Sequence, residues 1–286
     1  MHNYFQQKKD FKIKISYILL FIVLCIVSVG IDVAGSMFFP GHYLIPHVAR
    51  NILAAVATLI LIVGSITLIK KNAIPGEALG LKLSTRSLLN FLFGVIIAIV
   101  ALALVAFILL LFVPYHFEKG LLTFNGMLKE AHSYFWGNFL EELIFRGFPL
   151  IVLCQLSGWR KAVLIMAIPF GLFHLPGIGF NMDGLKMILT TASYSFVFSY
   201  AFILTGSLWT ALGIHVTSNI LLHAVTGLDG AGKAIFTPVF HADWPTSYDP
   251  ALISFLLSAM IIASLLYLLI VKKFRKIFEP ESKNTL

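Results

Sequence analysis

The chain has 286 residues, of which 59% are hydrophobic and 12% charged, with a net charge of +8 and a mean hydropathy of +0.92. That balance excludes an ordinary soluble globule, in which about a quarter of the residues are charged. Apolar stretches of roughly 20 residues recur, the length a helix needs to cross about 30 Å of hydrocarbon, while the strict alternation of a membrane β-barrel is absent.

The expected fold is therefore all-α: a polytopic membrane protein, a bundle of about eight transmembrane helices, forming a single integral membrane domain over residues 1–286. The first predicted span, 15–37, follows Lys8, Lys9, Lys12 and Lys14. Its apolar core outlasts that of a signal peptide and no small-residue cleavage site follows, so it reads as a retained helix. Spans over 51–69 and 88–113 come next. Residues 116–132 mix apolar and charged side chains, as a short amphipathic helix lying along the interface would. A fourth span covers 133–156. The fifth, 162–175, is short and carries Pro169 and Gly171, with Pro176 just beyond, so it is expected to be broken or partly spanning. Spans over 185–204, 208–226 and 251–271 complete the set. No internal repeat, low-complexity tract or soluble domain is evident. Cys25 and Cys154 fall inside predicted spans and read as small apolar fillers, not a disulfide pair.

The basic balance is explained by topology. With the N-terminus inside, the inner flanks hold Lys8, Lys9, Lys12, Lys14, Lys70, Lys71, Lys82, Arg86, Arg160, Lys161, Lys272, Lys273, Arg275, Lys276 and Lys283, and the outer flanks only Arg50, Lys119, Lys129, Lys186 and Lys233. This is the positive-inside pattern, with both termini cytoplasmic. Anionic lipid is the implied partner, and nothing resembles a nucleic-acid groove or stacking surface.

Within the fourth span lie Glu141, Glu142 and Arg146. A charge at the bilayer centre costs roughly 2.5–3.5 kcal/mol on insertion scales, so such a cluster must face protein, and it marks a functional site by default. Glu142 and Arg146 share a helix face at i,i+4 and can pair. Glu141 points about 100° away and has no local partner. A carboxylate left without a counter-charge in a dry interior is a good general base. The bland alternative is a structural ion pair, which the second glutamate argues against, since one arginine cannot satisfy both. His174 ends the broken fifth span, where irregular backbone is tolerated only if it lines a cavity. In the seventh span His215 and Asn219 are again at i,i+4, and His223 one turn further reads as a bystander. Interhelical hydrogen bonds would account for them. Their types also suit chemistry, histidine for metal or proton and asparagine for an oxyanion. His2, His42, His47, His116, His132 and His241 fall in predicted tails or loops and read as interface residues.

These pieces resemble the CAAX protease and bacteriocin-processing (Abi) family of intramembrane proteases, related to the type II CAAX prenyl endopeptidase. The family's EExxxR is matched by Glu141-Glu142-Leu-Ile-Phe-Arg146, its FxxxH by Phe170-Gly-Leu-Phe-His174, and its HxxxN by His215-Val-Thr-Ser-Asn219. Gly206-Ser207-Leu208-Trp209 enters the third motif in the family's manner. The motifs lie within residues 133–226. The resemblance implies peptide-bond hydrolysis inside the membrane, with Glu141 and His174 activating water and His215 and Asn219 serving as ligand or oxyanion donors. It leaves the metal open, although the family is named as metalloprotease. Glu141, His174 and His215 could supply three zinc ligands and an open water position, or form a metal-free glutamate–histidine pair; HExxH is absent.

Two other readings compete with a protease: a non-catalytic bacteriocin immunity or scaffold protein of the same fold, and an ion-coupled transporter, which would show paired repeats. For a protease the substrate is a membrane-associated peptide or small protein, either a bacteriocin or pheromone-type precursor or a CAAX-like tail. The Lys-, Ile- and Phe-rich composition with short loops suggests a bacterial cell membrane and a peptide over a prenylated tail. Counting along the predicted spans puts Glu141, His174 and Asn219 in the outer half of the bilayer.

Overall fold

The computed structural model describes residues 4–8, 10–38, 44–176, 178–228, 234–241 and 249–278. Lys9, Lys233, Lys283, His2 and His42 lie outside these, and His47 and Lys276 are described as backbone alone. The helices are α1 (Ile15–Phe38), α2 (Leu44–Lys71), α3 (Thr85–Phe112), α4 (Phe124–Arg146), α5 (Phe148–Ser157), α6 (Trp159–Phe173), α7 (Met182–Thr205), α8 (Leu208–Asn219) and α9 (Pro250–Phe278). Two short helical pieces join them, a 3₁₀ turn over Gly76–Leu79 and a π-helical segment over Ile220–Thr226 that continues α8.

Among the described residues six helices are long and apolar enough to cross a membrane: α1, α2 over Val48–Lys71, α3, α7, α8 with its π extension over Leu208–Thr226, and α9 over Pro250–Arg275. The other two expected spans fall on α4, α5 and α6. Span 133–156 is not one helix. It breaks at Gly147, whose ψ of −123° leaves the helical region. Pro149 in the first turn of α5 forces this break, because it lacks an N–H and its ring would collide with the carbonyl of Phe145. A side chain at Gly147 would also bring a Cβ to 2.3 Å from the Leu143 carbonyl oxygen. α6 has 15 residues, or about 22 Å at 1.5 Å per residue, short of a full crossing.

The segment 116–132 is not an interfacial helix. Tyr115–Lys119 forms a strand, β1, paired antiparallel with β2 (Phe236–Phe240), with Phe117 opposite Pro238. α4 then starts at Phe124, where the Thr123 hydroxyl accepts from Gly126 N–H at 3.1 Å. His132 consequently lies on α4, not in a loop, and receives the Trp136 indole N–H at 3.3 Å.

Without a hydrophobic drive between helices in lipid, small residues let backbones approach. The α3–α8 crossing shows this reciprocally. A Cβ on Gly94 would sit 2.3 Å from the Thr210 carbonyl oxygen, and one on Gly213 would sit 2.4 Å from that of Phe91. α8 is thereby clamped to α3 two residues before His215. Gly171 of α6 lies similarly close to α7, where a Cβ would meet the Ile188 carbonyl oxygen at 2.9 Å. α1 packs mainly on α2, burying Phe21, Ser28 and Gly35 while Ile26 and most of its other apolar side chains face outward, as lipid contact requires. α4, α6, α7 and α8 are left around a common interior.

Candidate active site

Arg146 is fully buried at the end of α4. Its Nη1 lies 3.3 Å from Glu142 Oε1, and its Nη2 donates to the Ser195 hydroxyl of α7 at 2.9 Å and toward the Ser195 carbonyl at 3.5 Å. The guanidinium lies 4.0 Å from the centroid of the Phe170 ring and 5.0 Å from that of Phe198, both cation–π distances. Arg146 thus ties α4 to α6 and α7 while neutralising Glu142. The same Oε1 of Glu142 takes the His215 Nδ1–H at 2.8 Å. A buried carboxylate on one imidazole nitrogen sets the tautomer, leaving Nε2 with its lone pair.

His174 is fixed the same way by backbone. Its Nδ1 is 2.8 Å from the Phe170 carbonyl oxygen, which can only accept, so Nδ1 carries the proton and Nε2 the lone pair. Both free Nε2 atoms turn to one place. His174 Nε2 is 3.7 Å and His215 Nε2 3.8 Å from Glu141 Oε2. That oxygen is buried and makes no hydrogen bond among the described residues. Three lone pairs with no donor between them are suited to hold a water by its hydrogens. Glu141 and His174 are partly exposed, whereas Glu142 and Arg146 are wholly enclosed. Phe198 stacks on His215 at 4.7 Å and 19°, and Phe170 meets His174 edge-on at 5.0 Å, so both rings have aromatic walls.

All six residues singled out from sequence meet here. Asn219 lines the same cavity as Glu141, His174 and His215, and its Nδ2 donates at 3.0 Å to the Oδ1 of Asn138, a residue the sequence did not single out. Asn138 lies one turn before Glu141 on α4, and an amide at that spacing in an apolar run was the available signal. Ser195 was also missed, and nothing local marks it among the other hydroxyls of α7. Asp32 of α1 lies within Coulombic range of Glu141 and Arg50.

The cluster opens into a cavity of about 460 Å³ lined by Glu141, His174, His215 and Asn219 together with apolar residues such as Met187, Leu252 and Phe255. His223 lines it too, its ring 5.8 Å from that of Tyr134. The cavity reaches the N-terminal turns of α7 and α9, where Lys186 and Asp249 pair at 2.7 Å. Burial pushes the Asp249 pKa up, but the Lys186 hydrogen bond and charge together with the backbone N–H groups of Leu252 and Ala251 outweigh it and hold the carboxyl below its usual range. This end carries the β1–β2 ribbon.

The donors around Glu141 match zinc in type, two imidazole Nε2 atoms and a carboxylate. Their spacing does not: among the described residues no group of three or more His, Cys, Asp and Glu side chains is gathered closely enough to hold a metal ion.

Residues 131–221 match the family model described as type II CAAX prenyl endopeptidase Rce1-like. Every motif residue on α4, α6 and α8 lies inside that segment. No curated protein matches the chain.

Proposed function

We propose, for a chain related through residues 131–221 to the type II CAAX prenyl endopeptidases, the role of an intramembrane endopeptidase acting on a membrane-associated peptide or small protein. The family match supports a protease in a membrane. The observation that carries the finer reading is the convergence of Glu141 Oε2 with the Nε2 atoms of His174 and His215 on the wall of an apolar cavity.

In this mechanism Glu141 takes a proton from water oriented by His174 Nε2, and the water oxygen forms its bond to the scissile carbonyl carbon. The negative charge that develops on the carbonyl oxygen is met by an N–H of Asn219, whose carboxamide is steadied by Asn138. His215, held by Glu142 through its Nδ1–H, keeps its Nε2 turned toward Glu141 and fixes the wall against which the water sits. As the C–N bond breaks, the proton on Glu141 passes to the leaving amine. Arg146 stays outside this sequence, holding Glu142 in place behind His215. The apolar wall favours hydrophobic segments, consistent with a peptide precursor drawn from the bilayer of a bacterial cell.

The test is cleavage of a membrane-peptide library by the purified protein in proteoliposomes. Wild type should cut a subset of members within or next to their apolar segments, and Glu141→Ala should cut none. A wild type that cuts nothing across the library would overturn the protease reading in favour of the immunity or scaffold role.

Zinc is a second reading, favoured by both Nε2 atoms facing the same carboxylate oxygen. If present it would be held by Glu141, His174 and His215 and would supply Lewis-acid polarisation and a more acidic water. The spacing of these side chains favours the metal-free pair. Active, purified protein should accordingly carry far less than one zinc per chain and keep its activity through chelation. Stoichiometric metal, with reversible loss of activity on chelation, would reverse this choice.

A further inference from the structure

The end of the bundle opposite the ribbon holds a second cavity, of about 240 Å³. Its floor is backbone. Gly80 has a φ of 69°, and a Cβ there would meet the Gly206 carbonyl oxygen at 2.6 Å and Leu208 N at 2.8 Å. The turn after the 3₁₀ segment therefore lies directly on the turn into α8, joined by the Leu208 N–H to the Gly80 carbonyl at 3.2 Å. Around this floor stand Lys82, Arg86 and Lys273.

The charge here is unbalanced. Glu77 is the one carboxylate among the described lining residues. Among the described residues no carboxylate lies within ion-pair distance of any of the three cations. Arg86 and Lys273 are within Coulombic range of one another, and Lys273 is drawn inward to the Leu204 carbonyl at 2.6 Å, at the end of α7. α3 and α8 both begin at this cavity, and neither has an acidic residue in its first turn, so two partial positive charges add to the three full ones. Chains ordinarily place acids there, and α3 places Arg86 instead. Beside the cations Leu83, Leu88 and Leu89 are 81%, 59% and 60% exposed, the apolar skirt of a site at the edge of the hydrocarbon.

We propose that this cavity binds a phosphate group at the membrane boundary, held by Lys82 and Arg86 in front and Lys273 behind. Its source is either the headgroup of an anionic phospholipid, with acyl chains laid along Leu83, Leu88 and Leu89, or free inorganic phosphate. Basic pockets between spanning helices on the positively flanked side are a known form of lipid-headgroup recognition. The proposal is independent of the protease reading, because none of these residues belongs to that site. Ordinary positive-inside flanking is the competing account. It predicts that any two lysines at this end are interchangeable.

The experiment compares wild type, K82Q/R86Q and the control K12Q/K272Q, which removes the same charge from the same end. Lys82, Arg86, Lys12 and Lys272 are all exposed, so the folds should survive, and Lys273 is kept because it serves α7. Each protein is reconstituted in nanodiscs of phosphatidylglycerol and phosphatidylcholine, extracted into detergent, and its retained lipid counted by native mass spectrometry. A second arm reads the melting temperature of delipidated protein with and without inorganic phosphate. Wild type should retain phosphatidylglycerol over phosphatidylcholine, with retention lower by about tenfold in K82Q/R86Q and several-fold less affected in the control. A phosphate-dependent melting shift in wild type that K82Q/R86Q lacks, without lipid retention, would assign the site to free phosphate. Equal lipid retention in all three proteins with no phosphate effect, or equal losses in both variants, would overturn the site.

Discussion

Arg146→Ala should destabilise the protein by about 3–5 kcal/mol, the usual result of stripping one partner from a buried ion pair. The substitution removes the Glu142 contact at 3.3 Å, the Ser195 hydrogen bond at 2.9 Å and the packing on Phe170 and Phe198, and it leaves a wholly buried carboxylate with no full positive charge beside it. Most of the loss comes from that orphaned charge. Glu142→Gln combined with Arg146→Met should therefore recover much of the stability that Arg146→Ala loses, because glutamine can still accept from His215 and methionine refills the aromatic cage without a charge. Thermal melting in detergent is the readout. If the double variant shows the sum of the single losses, the two side chains do not act as a pair and the scaffold role of Arg146 fails.

Glu141→Gln should lower kcat/KM by on the order of 10²–10⁴-fold, the range a positioned general base contributes, while the melting temperature stays near that of wild type. The shape is kept and the proton acceptor is lost. Glu141 has no arginine or lysine at ion-pair distance among the described residues, so removing its charge orphans nothing. His174→Ala should reproduce the loss, since its Nε2 faces the same carboxylate oxygen. The contrast is the useful part. Two adjacent glutamates on one helix should separate into one whose loss removes activity and one whose unpaired charge removes stability. Full turnover by purified Glu141→Gln would rule out the mechanism.

That division between the glutamates was legible in sequence because it rests on helical periodicity. Residues at i,i+4 share a face in any helix, so Glu142 with Arg146 and His215 with Asn219 could be paired before any tertiary information. Membrane character and the long apolar helices were legible for the same local reason: a run of apolar residues must be helical in lipid, whatever surrounds it. The break at Gly147 was not anticipated. Pro149 stands two residues on, and the weight of apolar residues on both sides still read as a single span.

Contacts between distant segments were decided by tertiary structure alone. The sequence left Glu141 without a partner, and its partners arrive just past the end of α6 and on α8, some 33 and 74 positions later at His174 and His215. The choice of Ser195 for Arg146, and of Asn138 for Asn219, depends on how α4 is rotated against α7 and α8, which side-chain periodicity does not encode. The ribbon of β1 and β2 joins two five-residue segments, one of them carrying Pro238, too short to stand out locally, and its strands exist because they found one another. Zinc donors and a metal-free base are the same three side chains in sequence and differ by their separation in space. Local rules fix which way a residue points around its own helix. How close it comes to another is set by small-residue crossings such as Gly94 on Gly213, where the backbones of two helices meet.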